Sequence, residues 1–141
     1  MQRRTFIWMM GAAAGAAYAA DPQQEIFDLF TKIAGALSDD DPEMFVEAVD
    51  PNMPHFIDFR NDIASLAAQA SLTNSIEVLS DKGDNTHRTE ELDWFLEIVN
   101  NAPSHTVERR RAVLKFGLER KGKKWKIVSI EPLHFFAPPA N

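Results

Sequence analysis

The chain has no cysteine, which excludes both disulfides and thiolate metal sites. Its one tyrosine, Tyr18, falls inside a short apolar stretch at the N-terminus. There is no G-x-S-x-G, no H-E-x-x-H and no glycine-rich phosphate loop, so the motif-bearing hydrolases and phosphate-loop enzymes are removed. Long basic stretches are missing too. Arg109-Arg110-Arg111 is not a patch, because a strand sends its middle residue to the opposite face. With a formal charge of −6, no nucleic-acid partner is expected. Internal repeats and low-complexity segments are absent, and nothing in the sequence implies a cofactor.

What is present suits a single domain: 141 residues, with an apolar share of 45% that is enough for a core. Residues 1–19 are set apart as a signal peptide. Met1-Gln2-Arg3-Arg4 is a positive start, Thr5 to Ala16 is an apolar run, and Ala17-Tyr18-Ala19 fits an A-x-A cleavage site. The run Arg3-Arg4-Thr5-Phe6-Ile7 resembles a twin-arginine export signal, departing from it at Gln2 and Trp8. An ordinary secretory signal is the alternative; an uncleaved anchor fits poorly, because the run is short of the roughly 20 residues a span needs. Export to the periplasm or outside the cell is the expectation, with no membrane association after cleavage. Losing Arg3 and Arg4 takes the charge from −6 to −8, and Tyr18 leaves as well.

Helices come first in the remaining chain. Asp21-Pro22 is a favoured start, and Ile26, Leu29, Phe30, Ile33 and Leu37 follow as one buried stripe. Asp41-Pro42 opens a short second helix carrying Met44, Phe45, Ala48 and Val49. Asp50-Pro51 predicts a third helix, settled by Pro54, with Phe56, Phe59, Ile63, Leu66, Ala67 and Ala70 inward. The period then changes to two. Leu72 to Val78 alternates, Asp81-Lys82-Gly83-Asp84 makes a turn, and Thr86 to Asn100 places Leu92, Trp94, Leu96 and Ile98 on one side.

The longest patterned stretch is Val107 to Phe136, two alternating runs joined at Lys121-Gly122. With Arg120 facing Lys123, the register pairs Leu118 with Trp125, Phe116 with Ile127, Leu114 with Ser129, Ala112 with Glu131 and Arg110 with Leu133. On the neighbouring hairpin, Leu96 is expected to face Arg110 and Trp94 to face Ala112. Trp94 and Trp125 are thereby predicted to be buried. The outer face would carry Val113 opposite Ile130, a patch suited to a two-fold homodimer. Domain limits are 1–19 for the signal peptide, 20–136 for the folded domain and 137–141 for a flexible tail.

Helix order, the segment ALSDDDPEMFVEAV and the closing GKKWKIVSI strand resemble a nuclear-transport-factor-2-like domain, over about residues 22–136. That fold is shared with SnoaL-type polyketide cyclases and ketosteroid isomerase. The resemblance implies an α+β architecture, with three N-terminal helices packed on a curved four-stranded antiparallel sheet. It also implies a pocket at the open end of the cone and homodimers through the sheet's outer face. Ketosteroid isomerase draws its oxyanion donors from a tyrosine and a protonated Asp; without a tyrosine after Tyr18, that arrangement is not carried over.

The candidate ligand-binding residues are Arg110, Glu131, Ser129, Trp94 and Phe59, a polar patch beside an apolar cavity. The competing reading is an internal Arg110–Glu131 pair, or charges that reach solvent at the rim. His55, Asp58 and Asp62 have a helical spacing that could present metal ligands, but the buried side of that helix explains it better. Asp39-Asp40-Asp41 fits the start of a helix, and no metal is expected. Three functions are compatible with this: a binding domain for a small apolar or amphipathic molecule, an isomerase, lyase or cyclase using Glu131 or Glu108 as base, and a non-catalytic interaction subunit. Catalytic residues are not identified by the sequence. An arginine beside a carboxylate would lower its pKa and make it a poorer base.

Overall fold

The computed structural model describes residues 21–139; the signal-peptide expectation over 1–19 and the last two residues lie outside them. Helix α1 spans Pro22–Ser38, α2 Pro42–Glu47 and α3 Phe56–Gln69. Asp21 caps α1 by accepting a hydrogen bond from the Gln23 amide at 3.1 Å. Asp41 precedes α2 without such a bond. The third Asp-Pro does not open a helix. Asp50 instead accepts from the Asn52 amide at 2.8 Å, a side-chain-closed turn, and α3 starts only after His55 at φ 62°.

Four strands follow as an antiparallel meander: β1 Ala70–Gly83, β2 His87–Asn100, β3 Val107–Lys121 and β4 Lys124–Glu131, in the spatial order β1-β2-β3-β4. The β2–β3 register pairs Trp94 with Ala112 and Leu96 with Arg110, as the alternation predicts. The β1–β2 turn sits later than expected. Asp84 closes it, accepting from the amides of Thr86 and His87 at 2.8 Å.

The β3–β4 register differs from the expectation twice. The turn residues are Gly122 and Lys123, with Lys121 opposite Lys124, so Arg120 faces Trp125 and Leu118 faces Ile127. Gly122 has φ 65°, a left-handed conformation that a glycine adopts freely. This slip keeps the alternation, and Trp125 and Ile127 remain buried. The second departure does not keep it. Val128 is an extra residue between the Leu118–Ile127 and Gly117–Ser129 pairs, a bulge that reverses every side chain beyond it. Ile130 therefore turns inward and is buried, while Ser129 and Glu131 turn outward and are exposed. Ser129 lies over Gly117, where an added Cβ would meet its Oγ at 2.5 Å. The Val113–Ile130 patch is not formed, because Ile130 belongs to the core; Val113 stays exposed alone.

The expected Arg110–Leu133 pairing is also absent. The chain leaves β4 through a cis Glu131–Pro132 bond into a 3-10 turn, Leu133–Phe136, which delivers Phe135 and Phe136 to the core. The free edge of β4 is covered: Val49 bridges Ile127 in parallel, Asp50 donates to the Ile127 carbonyl and Ile127 to the Ala48 carbonyl, both at 2.8 Å. Between helices and sheet lies an aromatic core. Phe45 stacks on Trp94 at 6.3 Å and meets Phe59 edge-on at 5.0 Å, and Phe30 meets Phe116 at 4.7 Å.

Candidate functional site

Three of the five residues expected to line a cavity do face the interior, but they enclose side chains instead of space. Trp94 and Phe59 are fully buried, and Phe136 sits against both, 5.3 Å from Trp94 and 6.4 Å from Phe59. Arg110 holds that plug. Its guanidinium donates to the carbonyls of Phe135 at 2.7 Å and Ala137 at 2.6 Å, and its Nε meets Glu108. Ala137 is thereby tied to Arg110, and residues 137–139 are half-buried. The Arg110–Glu131 pair does not exist, since the Val128 bulge puts Glu131 on the other face. Ser129 is there with it.

On that outer face, Arg109 pairs with Glu97 and Arg111 with Asp93 across the strands. A depression of about 220 Å³ is lined by Ser75, Ile76, Glu77, Asp93, Phe95 and Arg111, a mixed polar and apolar surface. His55 lies 3.7 Å from Asp58, both highly exposed, and no group of three metal-ligating side chains occurs among the described residues.

A polar cluster that the alternation only half revealed occupies the interior at the far end of β1 and β2. Glu90 continues the inward row of Leu92, Trp94, Leu96 and Ile98, and it is the buried charged residue of the core, 2% exposed. Asp81 lies directly opposite it, brought into line by a β1 bulge that leaves Leu79 outside. Arg88 donates through Nε and its terminal nitrogen to Asp81 Oδ1 at 2.8 Å and stands 3.9 Å from Glu90. Asp81 Oδ2 and Glu90 Oε2 are both buried without a partner. One proton between the two carboxyls would satisfy both oxygens. Burial, helped by the hydrogen bond and charge of Asp81, pushes Glu90 up to about 9 against the pull of Arg88. Burial also pushes Asp81 up, but the hydrogen bonds from Glu90 and Arg88 outweigh it and leave that carboxyl below its usual range. The pair holds a proton at neutral pH and could serve as a general acid. Neither carboxyl is open to a substrate, so its chemistry is confined to the core.

A larger open concavity, with a volume of about 910 Å³, lies elsewhere among the described residues. One wall is the α1 stripe Glu25, Asp28, Leu29 and Lys32; the other is Met44 to Pro51, laid along the β4 edge. The β3–β4 turn closes one end, and Trp125 forms part of the floor. Trp125 is held in place on two sides: its indole donates to Glu25 Oε1 at 3.2 Å, and Arg120 lies over its ring at 4.6 Å. Arg120 also donates to that Glu25 oxygen at 2.9 Å. No periodicity argument joins α1, the 44–51 segment and the turn. The one visible hint was the density of lysines in GKKWK.

No protein-family model matches the chain, and no curated protein sequence matches it. Solved structures do resemble it. A conserved protein from Planctomyces limnophilus aligns with a TM-score of 0.64 at 7% identity, covering 77% of this chain and 91% of that one. A nuclear transport factor 2-like superfamily protein from Salmonella enterica gives 0.61 at 12% identity, covering 77% and 87%. A hexachlorocyclohexane dehydrochlorinase gives 0.62 at 10% identity, covering 77% and 81%. Identities this low speak to architecture and not to activity, and in architecture the chain has the α+β fold of the nuclear-transport-factor-2-like proteins.

Proposed function

We propose that the chain is a non-catalytic binding domain, and that it holds a small apolar or amphipathic molecule in the groove between α1, the 44–51 segment and the β3–β4 turn. The observation that carries this is the contrast between two places. The interior, where the fold would admit a ligand, is filled by Trp94, Phe59 and Phe136. The groove is open, has a volume ordinary for small-molecule sites, and has an apolar lining from Leu29, Met44, Val46 and Phe56, with the buried Trp125 beneath. Enzyme neighbours such as the dehydrochlorinase share the fold without supplying a catalytic set here.

Straight-chain alkyl compounds of six to twelve carbons test this reading, followed by calorimetry and by the indole N–H resonance of Trp125. Each added methylene that enters the groove should tighten binding by up to about 0.8 kcal/mol, roughly fourfold. Met44→Glu should abolish the trend while leaving the fold intact, because Met44 is only half-buried. No dependence on chain length, or an unmoved Trp125 resonance, would remove the groove as the site. The reading also includes export, supported by the charged start, apolar run and A-x-A order of residues 1–19. Intact-mass measurement on protein from the native host is expected to find a species lacking those residues; a product that retains Met1 contradicts export.

A further inference from the structure

We infer that the occupant of this groove is an amphipathic anion, an acyl or aryl chain ending in a carboxylate or sulfate, taken as a single molecule in solution. The inference rests on the proposed groove and adds the sign of the ligand's head group. Four lysines line the concavity: Lys32, Lys123, Lys124 and Lys126. The whole chain has seven lysines and a formal charge of −6, so more than half of them gather on one concave surface of an acidic protein.

The acids of the same surface do not cancel them. Glu25 is already paired with Arg120 and takes the Trp125 indole hydrogen as well. That leaves Asp28 and Glu47 against four ammonium groups, a surplus of two positive charges. Asp28 accepts from the Gln24 side-chain Nε2 at 2.9 Å. Lys126 donates to the backbone carbonyl of Glu47 and not to its carboxylate. Among the described residues no carboxylate comes within 4 Å of any of the four lysines, whereas the neighbouring Lys121 is paired with both Asp50 and Glu119.

The apolar and charged parts are also segregated. Leu29, Val46, Val49 and Trp125 are buried or half-buried, while Lys32, Lys123 and Lys124 are exposed. A ligand with one apolar end and one anionic end satisfies both at once: its chain leaves water against the groove, and its head stays in water beside flexible ammonium groups. An uncharged apolar ligand would leave the lysines without a role. A cationic one would be repelled.

Decanoate, decan-1-ol and decyltrimethylammonium share one chain and differ in head charge, so their dissociation constants separate the sign of the head from the existence of the groove. Exposed lysines contribute modestly one by one, and two or more acting together should favour decanoate over decan-1-ol by roughly tenfold at low salt. That preference should collapse toward equality at 0.5 M salt or in the Lys123→Gln/Lys124→Gln double variant. Equal affinity for decanoate and decan-1-ol at low salt overturns the anion inference and leaves the groove reading standing. Tightest binding by decyltrimethylammonium overturns the inference by showing that Asp28 and Glu47 dominate. If none of the three moves the Trp125 indole resonance, the groove reading fails and the inference fails with it. Binding to anionic phospholipid vesicles without any response to decanoate overturns it in favour of a membrane surface.

Discussion

Trp94→Ala is expected to cost about 3–5 kcal/mol of unfolding free energy, the value typical of removing a large buried aromatic residue. Trp94 is the largest fully buried side chain, and the rings of Phe45, Phe116 and Phe136 all pack on it. Those three come from α2, β3 and the C-terminal turn, so the indole joins parts of the chain far apart in sequence. Its N–H also donates to Asn74 Oδ1 at 2.9 Å, and Asn74 in turn donates to Ser38 at the end of α1. Alanine therefore leaves a cavity at the centre of the aromatic core and an amide acceptor without its donor. Domains of this size are stable by about 5–15 kcal/mol, so the loss takes roughly a fifth of the total or more. In a thermal scan it should appear as a fall on the order of 10–20 °C. Trp94→Phe keeps an aromatic ring while losing the Asn74 bond, and should recover more than half of the loss. Urea unfolding of the two variants beside the wild type checks this. A Trp94→Ala midpoint within about 1 kcal/mol of wild type would show that the core is not packed around this residue.

The inward position of Trp94 could be read directly from the sequence, and so could its pairing with Ala112, because β2 and β3 alternate over long, unbroken runs. In such runs a one-residue slip would expose every apolar side chain, so one register is strongly preferred. Strand β4 is shorter and less decisive. Ile127, Val128 and Ile130 are all apolar, and either of the last two could have faced inward. The bulge at Val128 chooses Ile130, and that choice moves Ser129 and Glu131 out of the expected site. The bulge at Leu79 is equally silent in sequence, and it is what sets Asp81 opposite Glu90. Glu90 itself was within reach, as the next even-numbered residue before Leu92. The groove was not, because its walls come from α1, the 44–51 segment and the β3–β4 turn, which meet only through tertiary packing.

Stability should fall as pH rises from about 5 to about 9, and Glu90→Gln should remove that fall. A carboxyl held near its ordinary value in the unfolded chain and raised to about 9 in the fold makes the native state bind one more proton across that interval. The unfolded state releases its proton first, so each pH unit favours unfolding by up to about 1.4 kcal/mol, and the effect levels off above about 9. The groups facing Glu90 are few. Asp81 lies opposite on β1, Arg88 is on its own strand, Phe116 is opposite on β3, and Gln23 of α1 reaches Asp81. Asp81 has the opposite sign. Its lowered value adds stability at neutral pH that is lost on acidification, so measurements begin at pH 5, above that loss. Every other side chain is common to the two proteins and cancels in the difference between them. Glutamine keeps the shape, cannot ionise, and can donate an amide hydrogen to the unpartnered Asp81 oxygen in place of the proton. The two proteins should therefore be close in stability near pH 5 and diverge steadily toward pH 9, with the variant the more stable. Asp81→Asn should shrink the divergence from the other side, since it removes the negative charge that helps Glu90 keep its proton. Urea midpoints at half-unit intervals from pH 5 to 10 measure all three. Parallel curves for wild type and Glu90→Gln would mean that Glu90 is ionised in the fold, with water or a cation beside it, and that the two carboxyls do not share a proton.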